Sequence, residues 1–276
     1  MNISEEKVTE LEAAAKNIRK RILQMIYNAQ ASHIASSFSI VDILLYLYES
    51  VLNIDPAEPH NLARDRLVLS KGWAASALYA VLARKGFFSE VLLDTYCKDG
   101  SPFIGITSMS GIPGIEATTG SMGHGLPIAV GMALAGSMNE KSYRVFCVIS
   151  DGELDEGSTL EAIFFAGFHA LSNLTLIIDY NKYQSFGKVK DVLDPEPLAD
   201  KFKAFRWSAQ EVNGHDFKDM ADVFSSLPGE KGKPTAIIAH TIKGKGVSFM
   251  ENKNDWHYRP PNQEQYETAL AELSLP

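Results

Sequence analysis

With 276 residues, 45% hydrophobic and 22% charged, the chain has the size and balance of one large globular domain. A formal charge of -8 argues against nonspecific nucleic-acid binding, and no apolar run approaches a membrane span. The acidic, amphipathic start lacks a secretory pattern, and Cys97 and Cys147 have neither CxxC nor zinc spacing, so a cytoplasmic protein with an inert, strand-buried Cys147 is expected.

Ser4 can cap a first helix in which Val8, Leu11, Ala15, Ile18, Ile22 and Met25 form one apolar face. A polar junction, Gln30 to Ile34, leads to a second helix expected over 39–50, with Ile40, Ile43, Leu44, Leu47 and Tyr48 turned inward. A single histidine in such a junction, here His33, is ordinarily a local hydrogen-bonding residue. After a loop over 53–64, Arg64-Asp65-Arg66 enters a short strand from Leu67 to Ser70. The small residues of 72–83 suit a helix packed close to a neighbour, and Gly86 can end it in the left-handed conformation. A further short helix is expected over 89–96.

Residues 97–117 form a long connection rich in glycine and proline, the kind that often carries a site. It runs into Glu116-Ala-Thr-Thr-Gly-Ser-Met-Gly-His-Gly125, which opens a helical segment, so its backbone N–H groups can receive phosphate oxygens. The loop is neither GxGxxG nor GxxxxGK[ST], and an ordinary dinucleotide or P-loop assignment lacks sequence support.

The most informative stretch is Val145 to Gly187, read as strand, loop, helix, strand and polar turn. The strand Val145 to Ile149 ends at Ser150-Asp151-Gly152; a helix over 158–170 follows, with Leu160, Ile163, Phe164 and Phe168 as its apolar stripe; a second strand, Leu174 to Ile178, ends at Asp179-Tyr180-Asn181. Parallel neighbours joined by a crossover helix would bring Asp151 and Asn181 to one sheet edge, where hard oxygen ligands suit magnesium beside phosphate. Capping and turn formation are the alternative roles for such residues. Downstream, a surface loop at 194–197, a helix over 198–205, a strand over 207–212, a helix from Asp216 and a strand over 234–240 complete an α/β fold, a mostly parallel sheet with helices on both faces. An irregular segment with His257 then leads to a final helix over 263–273. Lys243 and Lys245 could meet diphosphate or be solvated surface charge.

Four motifs taken together resemble the thiamine-diphosphate-binding domain of transketolase: R-D-R-L-V-L-S-K-G, T-T-G-S-M-G-H-G, S-D-G-E-L-D-E-G and D-Y-N-K-Y, in that family's order and over nearly the whole chain. The resemblance implies a diphosphate-binding (PP) domain spanning 1–276. A full transketolase also has a pyrimidine-binding domain and a further C-terminal domain, for which 276 residues leave no room, so an N-terminal subunit of a split transketolase is expected. By the same resemblance, Asp151, the Asn181 side-chain carbonyl and the Tyr183 backbone carbonyl would hold Mg2+. Gly120, Ser121, Met122, Gly152, Glu153, Asn181, Trp73 and His257 would hold thiamine diphosphate. His33 and His257 would face the substrate, and Glu156 would lie at the junction with the partner. A C-terminal subunit would supply the activating glutamate in an α2β2 assembly that transfers a two-carbon ketol unit from a ketose to an aldose, and this chain alone would be inert.

The chain departs from the family at Trp73, where a histidine is usual, and at Phe103 to Thr107, where a G-H-P segment is usual. Ser150 replaces a glycine and His124 a glutamine. A pocket with fewer histidines suits a modified sugar, a nonphosphorylated ketose or a smaller acyl donor. Two other readings stand beside this one: the α subunit of a thiamine-dependent 2-oxoacid decarboxylase or dehydrogenase, and a noncatalytic regulatory subunit. The R-D-R-L-V-L-S-K-G run favours the transketolase branch; Trp73 favours a regulatory role, which Asp151, Glu156 and Asn181 oppose.

Overall fold

The computed structural model describes residues 3–275. Its strands are β1 (Arg66–Leu69), β2 (Val145–Ser150), β3 (Leu174–Tyr180), β4 (Ser208–Asn213) and β5 (Thr235–His240). They form one sheet in the order β1-β2-β3-β5-β4, and every pairing is parallel. All five expected strands are present, with boundaries shifted by one or two residues.

Strand alternation divides the core. Phe146 and Val148 of β2 point to one side, into a cluster built with α1 (Glu5–Ala29), α2 (Ile34–Ser39), α3 (Val41–Tyr46) and α4 (Ala75–Lys85). Val145, Cys147 and Ile149 point to the other, against α5 (Gly125–Met138) and α6 (Gly157–Phe168). Two further helices, α7 (Val189–Val192) and α8 (Leu198–Ala204), precede β4, and Leu198 and Phe202 of α8 join the second cluster. The first cluster also takes in α9 (Phe217–Ser225) and α10 (Gln263–Glu272). Both faces of the sheet are thus covered, as a parallel sheet requires.

Ser4 caps α1, accepting from the Lys7 N–H at 3.2 Å, and Gly86 ends α4 at φ 97°. Asp216 caps α9 through the N–H groups of Lys218 and Asp219. The second helix differs from expectation. It begins at Ile34, breaks at Ile40 and finishes in a π-helical turn over Leu47–Val51. Serine hydroxyls explain part of the early irregularity: Ser37 and Ser39 donate to the carbonyls of His33 and Ser36, local bonds that compete with a regular helix.

Of the stripe expected to bury α6, Ile163 is buried as expected and the other three residues face outward. Leu160, Phe164 and Phe168 are 44%, 61% and 64% exposed, whereas Ala162, Ile163, Ala166 and Gly167 meet the sheet side. The chain approaches too closely there for large side chains: a Cβ on Gly167 would lie 1.9 Å from the Phe205 carbonyl oxygen.

Candidate active site

β1, β2, β3 and β5 deliver Lys71, Asp151, Asn181 and Lys243 to the C-terminal edge of the sheet, where open parallel sheets place ligands. Register pairs Ser150 with Asp179, so the chain leaves β2 and β3 side by side. The result is a cavity of about 590 Å³ at this edge.

Asp151 is 1% exposed and touches no cationic side chain among the described residues. Its two oxygens accept from the backbone N–H of Gly152 at 2.8 Å and of Lys182 at 2.6 Å. Burial, with Asp179 adding to it, pushes its carboxyl up to about 7. Asn181 accepts from the Tyr183 N–H at 3.0 Å and donates its amide to Asp179 at 3.1 Å. Asp179 in turn is buried and held low against the penalty of burial by Lys71, Thr241 and Ser39, all of which donate to it.

The glycine-rich loop is fastened to this edge from below. Glu153 accepts from the Ser70 hydroxyl and, at 3.0 Å, from the Gly123 N–H; Ser70 accepts from the Gly125 N–H at 3.1 Å. Two glycines are needed for this approach. A Cβ on Gly72 would meet the Thr119 backbone at 2.5 Å, and Gly123 lies at φ 81° with the Ser158 hydroxyl 2.3 Å from where a Cβ would stand.

His33 enters from the junction between α1 and α2, with φ 69°, and its N–H donates to the carbonyl of His257 at 2.9 Å. The two rings meet edge-on with centroids 5.2 Å apart, and Tyr258 packs 5.5 Å from His33. Burial, then Lys71 and Lys243, hold His33 down at about 4; burial, then Lys243, His33 and Lys71, hold His257 at about 3. Both imidazoles are therefore neutral at neutral pH.

Of the residues singled out from sequence, His33, Trp73, Gly120, Ser121 and Met122 line the cavity. So do Asp151, Gly152, Glu156, Asn181, Tyr183 and His257. Glu153 does not; it is fully buried beneath the loop. Trp73 carries an indole N–H that is buried without a hydrogen-bond partner among the described residues, whereas those of Trp207 and Trp256 donate to the carbonyls of Ile163 and Phe249. Sequence gives Lys71 no role and leaves that of Lys243 open, yet the two are only 1% and 0% exposed. Their signal was position: each lies at or just past the end of a strand that opens on the same edge.

Residues 11–274 match the family described as transketolase, thiamine diphosphate binding domain. The chain belongs to the transketolase family. It is a component of a thiamine-diphosphate-dependent transketolase-type enzyme. It is 40% identical over 267 residues to one of the named subunits of the apulose-4-phosphate transketolase of Phocaeicola vulgatus, covering 97% of this chain and 95% of that one. It is 41% identical over 271 residues to the 6-deoxy-6-sulfo-D-fructose transketolase subunit SqwG of a Clostridium species, covering 98% of each. Against human transketolase the identity is 35% over 280 residues, covering 98% of this chain and 43% of the relative. The transketolase structure from Campylobacter jejuni superimposes with a TM-score of 0.90 at 28% identity, covering 100% of this chain and 43% of that one. The chain thus spans under half the length of the single-chain transketolases, and almost all of the separately named subunits.

Proposed function

We propose that residues 1–276 act as one diphosphate-binding domain in a split, cytoplasmic transketolase that moves a two-carbon ketol unit from a ketose donor to an aldose acceptor. The observation that carries this reading is the convergence of Asp151, Asn181, the glycine-rich loop and a neutral histidine pair on one cavity. Near end-to-end likeness to two subunits named for sugar transketolases supports it.

A divalent cation fits the donor set, because Asp151 is a buried carboxylate that no cationic side chain among the described residues touches and Asn181 is oriented by Asp179. No group of three or more His, Cys, Asp or Glu suited to a metal occurs among the described residues. One carboxylate, one amide oxygen and the Tyr183 main-chain carbonyl leave places for diphosphate and water, the pattern Mg2+ favours. Gly120, Ser121, Met122 and Gly152 would hold the diphosphate, with Trp73 walling the cavity, while Glu153 holds the loop from below. Thiamine diphosphate supplies the nucleophilic carbon and stores the electron pair when the ketose carbon–carbon bond breaks.

This chain's residues bind and orient. His33 and His257, neutral and 5.2 Å apart, offer hydrogen bonds to substrate oxygens without adding charge to the cavity. Trp73 and Ile106 give it apolar walls, which suits a modified or unphosphorylated ketose. The activating glutamate would come from a partner subunit, and Glu156 lines the cavity where that partner would meet it. The exposed Leu160, Phe164 and Phe168 of α6 start four residues beyond Glu156 and form the kind of apolar face that another chain covers, in keeping with an α2β2 assembly. Co-purification of this chain with a compatible C-terminal subunit, followed by analytical ultracentrifugation, tests the assembly; separate monomers at micromolar concentration would contradict it.

A further inference from the structure

Lys243 is fully buried, yet each group it touches is neutral. Its Nζ lies 2.8 Å from His257 Nδ1, 3.2 Å from Asn254 Oδ1 and 3.4 Å from the Gln184 carbonyl oxygen. An ammonium group has three donors and no lone pair, so these contacts occupy its donors and oblige His257 Nδ1 to accept. A neutral imidazole that accepts at Nδ1 carries its proton on Nε2. Burial, with Lys71 next, pulls Lys243 down to about 8, which still leaves it cationic at pH 7. His257 lines the cavity, and its Nε2 has no hydrogen-bond partner among the described residues.

We propose that Lys243 is a positioning residue that fixes His257 as the Nε2–H tautomer, so that His257 meets a ligand oxygen in the cavity as a hydrogen-bond donor and not as a base. The same lysine latches two segments. Asn254 also donates to the Ser185 carbonyl at 2.8 Å, so the turn carrying His257 is tied to the loop that follows Asn181. Lys243 thereby sets both where His257 sits and which nitrogen bears the proton. The titratable groups around the ring are Lys243, His33, Tyr258 and, farther off, Lys71. Among them, the one in hydrogen-bond contact with a ring nitrogen of His257 is Lys243. The tautomer stands on this chain's own contacts; only the identity of the oxygen it meets rests on the ketol-transfer reading.

The test is long-range 1H–15N correlation spectroscopy on the full chain with ring-15N histidine at pH 7, with His257 identified as the signal missing from His257→Gln. The expected pattern is a protonated Nε2 and a bare Nδ1, unchanged as the pH is lowered to about 5 because the ring is held near 3. In Lys243→Met the ring should become a mixture of tautomers and titrate closer to the ordinary histidine value. Lys243→Arg should keep Nε2–H. A protonated Nδ1 in the wild-type chain, or a Lys243→Met spectrum identical to wild type, overturns the proposal. If Lys243→Met does not fold, the wild-type and Lys243→Arg spectra decide it. In the assembled complex, magnesium pyrophosphate and an unphosphorylated ketose are then added separately. Movement of the Nε2–H signal with one or the other supports the donor role and shows whether phosphate or sugar oxygen receives it; movement with neither, when both bind, contradicts it.

Discussion

Asn181 donates its side-chain amide to Asp179 at 3.1 Å, which turns its carbonyl oxygen toward the Tyr183 N–H, 3.0 Å away. The candidate metal ligand is therefore oriented by a carboxylate that does not line the cavity. Asp179 is itself fixed by Lys71, Thr241 and Ser39, so residues from α2, the end of β1 and the end of β5 all bear on one amide. Replacing Asp179 by Asn should leave Lys71 as a buried cation without its counter-ion and cost about 3 kcal/mol of folding stability. Magnesium affinity should fall at least about tenfold at the same time. Denaturant unfolding and calorimetric titration of Mg2+ with thiamine diphosphate measure the two effects.

Asp151→Asn should separate binding from folding. Burial, with Asp179 adding to it, pushes the carboxyl up to about 7, so above its ordinary 3.8 the charged form costs the metal-free chain stability instead of adding to it. At pH 7 the variant should therefore be at least as stable as wild type while losing most metal-dependent cofactor affinity. A large loss of stability with affinity preserved would assign Asp151 a purely structural role.

Trp73 leads to a prediction with two signs. Its indole N–H is buried and unpartnered, so Trp73→Phe should leave the isolated chain as stable as wild type or up to about 1 kcal/mol more stable. If the N–H meets a bound oxygen, cofactor affinity should fall by about threefold to tenfold, the worth of one neutral hydrogen bond. Trp207→Phe is the control: that indole donates to the Ile163 carbonyl at 2.8 Å, so its loss should destabilise the fold.

Stability should decline in acid through Asp42. Burial alone would raise its carboxyl, but Arg19 and His215 overcome that and hold it at about 2, below the ordinary 3.8. A depressed carboxylate contributes stability that is fully present above its unfolded value and lost as pH falls through the folded one. The contribution is about 2 kcal/mol at neutral pH, vanishing between about pH 4 and pH 2. The difference in unfolding free energy between wild type and Asp42→Asn, followed over that window, isolates it. The same network reaches the site, since the Ile242 N–H, next to Lys243, donates to His215 Nε2 at 2.9 Å.

Local chemistry made much of this molecule readable from the sequence. Short apolar runs ending in polar residues mark β1, β2, β3 and β5, and caps such as Ser4 and Asp216 mark helix starts. Asp151 and Asn181 were legible because each follows a strand directly, and parallel neighbours must end on the same edge. What escaped depended on distance and contact. Leu160, Phe164 and Phe168 have the spacing of a buried face, but periodicity cannot say which of two apolar faces meets the sheet, and close approach selected the smaller residues. Lys243 resembled a surface lysine because its three acceptors come from Gln184, Asn254 and His257, which only the fold brings around it. Glu153 shares its loop with the cofactor candidates, yet its bonds to Ser70 and Gly123 turn it beneath them.

The most direct test of the account is ketol transfer by this chain co-expressed with a compatible C-terminal subunit, assayed with phosphorylated, unphosphorylated and modified ketose donors, with and without thiamine diphosphate and Mg2+. Two-carbon transfer to an aldose should require both subunits and the cofactor and be abolished by Asp151→Asn. Stable assembly with bound cofactor that releases carbon dioxide from a 2-oxoacid and transfers no ketol unit would contradict it.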